Sequence, residues 1–590
     1  MTRAYIAEYG GLGANPDGLY AFGTGCIYDS HGNLYVIGSV SAYGASGPGQ
    51  SGNDFADSVM LKYSPSGQLL FHKTWWDHNN MNCGSTNVAV SIDDQDRIAW
   101  VANSWTDPGC WYGWMNTDGI FGYGGQAQTA AGIHQTSPTD ISLNNNGFAA
   151  MSTTCQFTNP DPVGHIGDIQ NIPAVISVPD FINSGDPGFT TGIAGYNTDG
   201  SLGSGAFNAV VVDSGGYSYA IGNITTNNIQ KSLLVGFRPD GTVLWQYTLD
   251  SSTATGANYG VYGESLNING GYLYTVINDN DTGAVYLDKF ETAPSGIANI
   301  WRVTISAAGP TAARGYDIDF DSAGHVIVSG LLANSINSGT ASGYLAIAKF
   351  NHNTGALLFV NTFFVGNANG SRETIFANTT NESFVGHRVA SVYQDRIAIS
   401  CMSVDDLTDT SITYNPRILT AQVPVDGSLA VSLNGPPSNS TVYVSFTDIF
   451  SSSVSTGTYT ASPTTFTVID LSAYILQNFT TVTSETNATD ILAFSNTDIT
   501  LGTFGTSGIR LKPGMKLRSG VRIVASRGGI SIDEGLLTED GFVLVTEDNV
   551  YALEQELANS QAVLFGEHVL LTDDDLVITD DNDEAIVQDI

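Results

Sequence analysis

Asp213-Ser-Gly-Gly-Tyr-Ser-Tyr-Ala-Ile-Gly222, followed by Leu233–Leu249 (LLVGFRPDGTVLWQYTL), is the stretch whose reading decides the fold. The first segment is a turn and then a run of alternating apolar positions. The second is an apolar strand, a tight turn carrying Asp240-Gly241, and another apolar strand. Asp-Gly supplies the positive φ that a short hairpin turn requires. Together they spell consecutive antiparallel strands.

The first signature recurs along the chain. It reads Gly32 then NLYVIGS, Asp96 then RIAWVAN, Gly147 then FAAMST, Gly216 then YSYAIGN, Gly271 then YLYTVIN, Gly324 then HVIVSGL, and Asp395 then RIAISCM, at spacings of 64, 51, 69, 55, 53 and 71 residues. The hairpin signature alternates with it. Clear copies surround Gly67, Gly241 and Gly355, and weaker ones surround Gly119, Gly200, Gly296 and Gly427. Each period therefore holds two hairpins, or four strands. One such sheet cannot bury two apolar faces alone, so successive sheets must stack, and radial closure hides their edges. The expectation is an all-β chain whose residues 1–434 form a seven-bladed β-propeller. The segment TRAYIAEYGG resembles the outermost strands (LLFHKTW, VLWQYTL) and is expected to complete the last blade, closing the ring by strand pairing.

These turns (Asp29 to Gly38, Asp213 to Gly222, Asp321 to Gly330) and the KYSPSG-type hairpin resemble those of the seven-bladed β-propeller repeat family. The resemblance covers roughly 400 residues and implies fold only, because propellers host many functions.

Composition narrows the function classes. The 590 residues are 42% hydrophobic, only 13% charged, include 66 Gly, and carry a net charge of −37. That balance excludes a phosphate-binding surface, which needs clustered Lys and Arg, and so excludes nucleic acid as a partner. No apolar run is long enough for membrane insertion, and residues 1–30 lack the basic start and apolar core of a signal peptide. Synthesis in a host cytoplasm is the expectation. Five scattered cysteines form no CxxC pair or disulfide framework and read mostly as buried thiols. One short helix, over 554–563, is the exception to the β pattern.

Beyond the ring, residues 435–505 read as a small β-domain rich in Thr and Ser. Residues 506–590 read as a charged short-strand assembly segment. Its first part carries Arg510, Lys512, Lys516, Arg518 and Arg522 in alternation with apolar residues, which places the cations on one strand face. Its last 60 residues hold 17 acids and no Lys or Arg, with a repeated Thr-acid-acid motif at 538, 546, 572 and 579. Short strands of this kind need a neighbour, either the basic strands or copies on other chains.

These endings resemble the C-termini of virion structural proteins of tailed bacteriophages, marine ones especially. The resemblance implies a non-enzymatic structural protein on the virion, in a tail fibre, appendage or capsid surface. Its propeller would be a scaffold or a recognition module for host-surface glycan, and its C-terminal strands would drive homo-oligomeric assembly with other virion proteins. The alternatives are a glycan-active propeller hydrolase or lyase, with acids around the axial channel, and a lectin-like surface-binding propeller.

Candidate sites are few. No HExxH, GxSxG, Walker or dinucleotide motif occurs. Trp105, Trp111, Tyr112 and Trp114 cluster in SWTDPGCWYGW; flat aromatic faces stack on sugars or anchor interfaces, and the alternative is packing between blades. Asn278-Asp-Asn-Asp-Thr-Gly283 has the rhythm of a Ca2+ loop, with Asp279, Asp281 and Asp288 as candidate ligands, although Asn, Asp and Gly are also what any turn prefers. No other cofactor is implied.

Overall fold

The computed structural model describes residues 5–9, 20–41, 56–76, 89–103, 109–129, 133–158, 169–185, 187–251, 260–307, 312–333, 343–366, 372–373, 390–394, 396–403 and 417–424. It also describes 432–434, 441–445, 450–455, 462–470, 475–478, 483–485, 494–497, 524–526, 529–531, 561–565 and 568–572. Two compact units result, one of Tyr5–Asp498 and one of Met1–Ala4 with Ile499–Ile590.

The larger unit is a β-propeller arrangement of antiparallel sheets, numbered here one to seven along the chain. Their innermost strands are Tyr20–Tyr28, Ala89–Ile92, Ile133–Leu143, Ser204–Val212, Val261–Asn269, Ala312–Phe320 and Ala390–Tyr393. Each starts a four-strand meander. The fourth strands are Leu69–Trp76, Phe121–Thr129, Phe189–Ala194, Val243–Ser251, Gly296–Ala307 and Leu357–Gly366. In the seventh sheet the fourth strand is Tyr5–Tyr9, which pairs antiparallel with Arg417–Pro424 in the register Tyr5↔Gln422 to Tyr9↔Ile418. The N-terminal strand closes the ring, as its likeness to the outer strands predicts.

Two corrections follow. Seven equal four-stranded blades were expected; instead six sheets are regular five-stranded blades, and the one begun by Ala312–Phe320 is enlarged to seven strands. Residues 435–505 were expected to be a separate small β-domain. The described strands of that stretch instead pair with the blades. Thr441–Ser445 adds to the outer strand of sheet six, Phe450–Ser455 to sheet five, Ser462–Pro463 to sheet four and Thr467–Asp470 to sheet three. Ile475–Asn478 then adds to sheet two, Thr483–Glu485 to sheet one and Phe494–Thr497 to Tyr5–Tyr9 of sheet seven. The chain therefore runs once around the ring and then back around its circumference as a belt. The reason is physical: short Ser- and Thr-rich strands cannot bury a core of their own, whereas each outer strand offers unpaired backbone groups. The enlarged sheet also gains Ser432–Asn434 and Arg372–Glu373.

The turns repeat one device. Asp29, Asp93, Asn144, Asp213 and Asp321 each open a five-residue connection, and each Oδ1 accepts the backbone N–H groups two and four residues on. The fourth residue has positive φ and is Gly at 32, 147, 216 and 324. Asp96 takes this position in sheet two at φ 57°, a conformation Asp tolerates better than most side chains. Its carboxylate accepts Ser30 N–H at 2.8 Å and Ser30 Oγ–H at 2.6 Å, tying the turns of sheets one and two.

The cores lie between sheets. Tyr28, Val36, Leu61 and Tyr63 of sheet one pack against Tyr9, Ala398 and Ile418 of sheet seven. Comparable clusters separate sheets one and two, two and three, four and five, and five and six. Cys26, Cys110 and Cys155 are buried thiols, as expected. In the smaller unit two hairpins are described, Val524–Ser526 with Gly529–Ser531 and Gln561–Phe565 with His568–Thr572. Residues 561–563 are thus extended, which corrects the C-terminal end of the helix expected over 554–563; residues 554–560 lie outside the described residues.

Tyr9 is buried and its hydroxyl bonds His72 Nδ1 at 2.9 Å, joining the closing strand to sheet one. Tyr9→Ala should cost about 3 kcal/mol or more, read as a lower denaturant midpoint. Burial also holds the His72 imidazole below its ordinary value. A group with a depressed folded value adds stability above its unfolded pKa of about 6.5 and loses it as the pH falls. The thermal midpoint should therefore drop from pH 7.5 to 5.5, and His72→Gln should flatten that slope.

Candidate functional site

Alternate connections of a meander leave from opposite ends of the sheet. At one end lie the tight five-residue turns. From the other leave the short turns 227–228 and 280–283 together with the longer segments 42–55, 77–88, 159–168, 334–342, 367–389 and 404–416, which apart from 372–373 lie outside the described residues. Loops carried on a rigid scaffold are where binding and catalytic groups concentrate. The long-loop end and the axial channel it surrounds are therefore the candidate site.

The channel is lined by the seven innermost strands, whose inner edges face the axis. Neighbouring sheets supply the partners those edges need. Val210 N–H donates to Asp140 Oδ2, and Val212 N–H to Ser142 Oγ, each at 3.1 Å. Leu143 N–H donates to Ser91 Oγ, Val392 N–H to Asp319 Oδ2 and Tyr28 N–H to Ser391 Oγ. In every case the side chain belongs to one sheet and the backbone to the next. Asp140 and Asp319 also accept their own following N–H groups. Asp317 accepts Ile318 N–H and the Ser265 hydroxyl. These inner acids act as backbone tethers.

The first two strands of sheets one, three, four, five and six share a β-bulge, at Gly23/Gly25, Pro138/Asp140, Phe207/Ala209, Gly263/Ser265 and Gly315/Asp317. The extra residues are Thr24, Thr139, Asn208, Glu264 and Tyr316. Thr139 Oγ1 donates to Phe207 O at 2.7 Å, and Asn208 Nδ2 donates to Gly263 O at 2.8 Å. Each reaches the carbonyl just before the next bulged residue. Glu264 as a carboxylate has no proton to pass on. Asn278 bridges the gap, its Nδ2 donating to Glu264 Oε2 at 3.1 Å and to Gly315 O at 2.9 Å while its Oδ1 accepts Gly315 N–H. Beside them Arg314 Nε donates to the Tyr262 hydroxyl, and its guanidinium lies 5.3 Å from that ring's centre. Burial pushes the Tyr262 hydroxyl far above the ordinary phenol range, with Arg314 opposing the rise and Glu264 adding to it. Tyr262 thus stays protonated, a neutral hydrogen-bonding group rather than a base. The cluster of Tyr262, Glu264, Asn278 and Arg314 joins sheets five and six at the bulge ring. Bulge geometry is invisible to alternation patterns; the one signal in the sequence is Glu264, the single charged residue of its strand.

The residues singled out from sequence fare differently. Trp111 is only 1% exposed and packs with Trp100, Tyr35 and Ile37 between sheets one and two. Tyr112 is buried between sheets two and three and donates to Gly185 O at 2.8 Å. Trp114 is half-buried, its Nε1–H held by Ile182 O at 3.1 Å. Strand alternation explains the split, since consecutive residues of Gly109–Met115 enter opposite interfaces. The expected exposed patch is corrected to interblade packing for these three. Trp105 lies outside the described residues. The calcium set is also corrected. Asp279 caps its own turn, accepting Asp281 N–H, Thr282 N–H, Thr282 Oγ–H and Tyr286 O–H. Asp288 is buried in a two-pronged ion pair with Arg302, both N···O distances 2.6 Å. The described residues gather no three metal-ligating side chains. Arg510, Lys512, Lys516, Arg518 and Arg522 lie outside the described residues, and among those that are described no helix is long and apolar enough to cross a membrane.

No family model and no curated protein matches the chain. Solved structures with similar folds include a polysaccharide lyase, an ulvan lyase, at 10% identity and TM-score 0.30, covering 52% of this chain and 75% of that one. A putative 6-phosphogluconolactonase from Bacteroides uniformis matches at 13% identity and TM-score 0.24, covering 56% and 98%. Dipeptidyl peptidase 4 from Porphyromonas gingivalis matches at 9% and 0.26, covering 64% and 50%. These are likenesses of fold at low similarity, shared by proteins of unrelated activities.

Removing one partner of a buried ion pair strands the other charge. Arg302→Met should destabilise by roughly 3 to 5 kcal/mol in chemical denaturation. Added Ca2+ should leave the thermal midpoint of the native chain unchanged, whereas occupancy at Asp279 would raise it.

Proposed function

We propose that this chain is a non-catalytic recognition propeller that uses its long-loop face to hold a glycan or glycan-bearing surface. The observation that carries this reading is the use of the inner acids. Asp140, Asp317 and Asp319 are bound to backbone N–H groups, where glycoside hydrolysis would call for two carboxyl groups facing a common space. What differs most from sheet to sheet is the length of the connections at one end. A scaffold rigidified around its axis and variable at one face suits binding.

A place on a virus particle rests on the acidic motifs of residues 538–581 alone, and the chain's presence at fixed stoichiometry in purified particles would support it.

The reading is tested with the whole chain on an immobilised glycan panel. Binding should weaken at least tenfold in Trp105→Ala with an unchanged thermal midpoint. Trp111→Ala should instead lose about 3 to 5 kcal/mol of stability, as a buried Trp does. Product release from the same glycans that Glu264→Gln abolishes would overturn the non-catalytic reading in favour of a glycan-active propeller.

A further inference from the structure

The belt pairs with only part of each outer strand. Its partners are Thr74–Trp76, Gln126–Thr129, Arg302–Ala307 and Thr362–Gly366, all in the half nearer the long loops. Among the described residues no strand pairs with the outer edge of the other halves, 69–73, 121–125, 296–301 and 357–361.

Each of these four sheets exposes an apolar residue at this end of its outer strand, at the β-bulge in sheets one, five and six and in the turn just before the strand in sheet two. Leu70 is 49% exposed, Ile120 61%, Ile300 38% and Leu358 48%, and each directly precedes an aromatic residue; Phe71, Phe121 and Trp301 pack into the cores and Phe359 is half-buried. Sheet one puts Leu70 on its outer strand and sheet two puts Ile120 in the turn just before its own, with Lys73 reaching over to Asp118 O and Gly119 O. Sheets five and six do likewise with Ile300 and Leu358, where the Gly355 turn sits on Trp301. Natural edges are normally blunted by charge, Pro, β-bulges or covering strands, and of these devices each half-edge carries a single bulge. In a chain with 57 acids, the segments 69–73, 121–125, 296–301 and 357–361 contain not one, and Lys73 is their only formal charge. The net charge that keeps copies apart is thus absent from these edges. In sheet four the belt shows how such an edge is taken. Thr464 N–H donates to Gln246 O, and Phe466 clasps the Gln246 side chain through both its N–H and C=O.

We propose that the uncovered half-edges of sheets one and two and of sheets five and six are the surface through which a second copy of this chain docks. Two identical antiparallel edges are self-complementary under a twofold axis, so a copy supplies the matching strand without any other partner. The mode continues the belt's own strand addition along the same outer strands.

Sedimentation equilibrium of the full chain, from about 1 to about 100 µM, should show a weight-average mass that rises reversibly with concentration. Leu70→Lys with Leu358→Lys should weaken that association at least tenfold. Hydrogen exchange of the unmutated chain should slow with concentration at residues 69–73 and 357–361, and this readout does not depend on how the variants fold. A mass fixed at the monomer value overturns the proposal. So does an oligomer whose protected amides lie elsewhere, or whose affinity is unaltered in well-folded rim variants.

Discussion

A β-sheet ends in a row of backbone N–H and C=O groups, and each one hidden from water must find a partner. That requirement organises this molecule from axis to rim. On the inside, the innermost strands of sheets one, three, four and seven borrow Ser and Asp side chains from the sheet before each, in the same sense around the ring. On the outside, the fourth strands receive the belt. A second set of links runs in the same sense further out. Thr191 Oγ1 donates to Gly241 O of the next sheet, Lys289 Nζ to His352 O, and Gln422 Nε2 to Pro65 O. The junction between sheets seven and one uses the same kinds of link, and the chain's own discontinuity falls within sheet seven, where Arg417–Pro424 and Tyr5–Tyr9 are joined by strand pairing.

The interior is correspondingly polar near the axis and apolar between the blades. Buried hydroxyls and carboxylates are costly unless satisfied, and here most of the named ones act as hydrogen-bond acceptors for the neighbouring backbone. Against that regular background the fifth sheet departs. A carboxylate at Glu264 stands where Thr139 and Asn208 each donate onward, and Asn278 is needed to complete the relay. Departures from a repeat that require compensation are where selection for something other than stability is expected.

Much of the ring was legible because its signals are local. Positive-φ turns at Gly32, Gly147, Gly216 and Gly324, and alternation in segments such as YSYAIGN, depend on neighbours in sequence, and the closing strand at Tyr5–Tyr9 betrayed itself by likeness to other outer strands. The belt was not legible. Strands of two to six residues with Ser and Thr carry the same pattern whether they pair with one another or with partners up to several hundred residues away, as Phe494–Thr497 does with Tyr5–Tyr9. Trp111 and Tyr112 misled for a related reason. Aromatic density in a window does not say which residues face a neighbouring sheet, and in this strand both faces are covered.

Because the return path touches every sheet in reverse order, the size of the ring is encoded twice in one polypeptide. Duplicating or deleting a single repeat in the first four hundred residues would leave the returning arm one step out of phase, too short or too long for its circuit. A viable change of size would need a matching edit far downstream in the gene. Such double bookkeeping makes the circumference resistant to gradual drift, even where the individual repeats diverge freely.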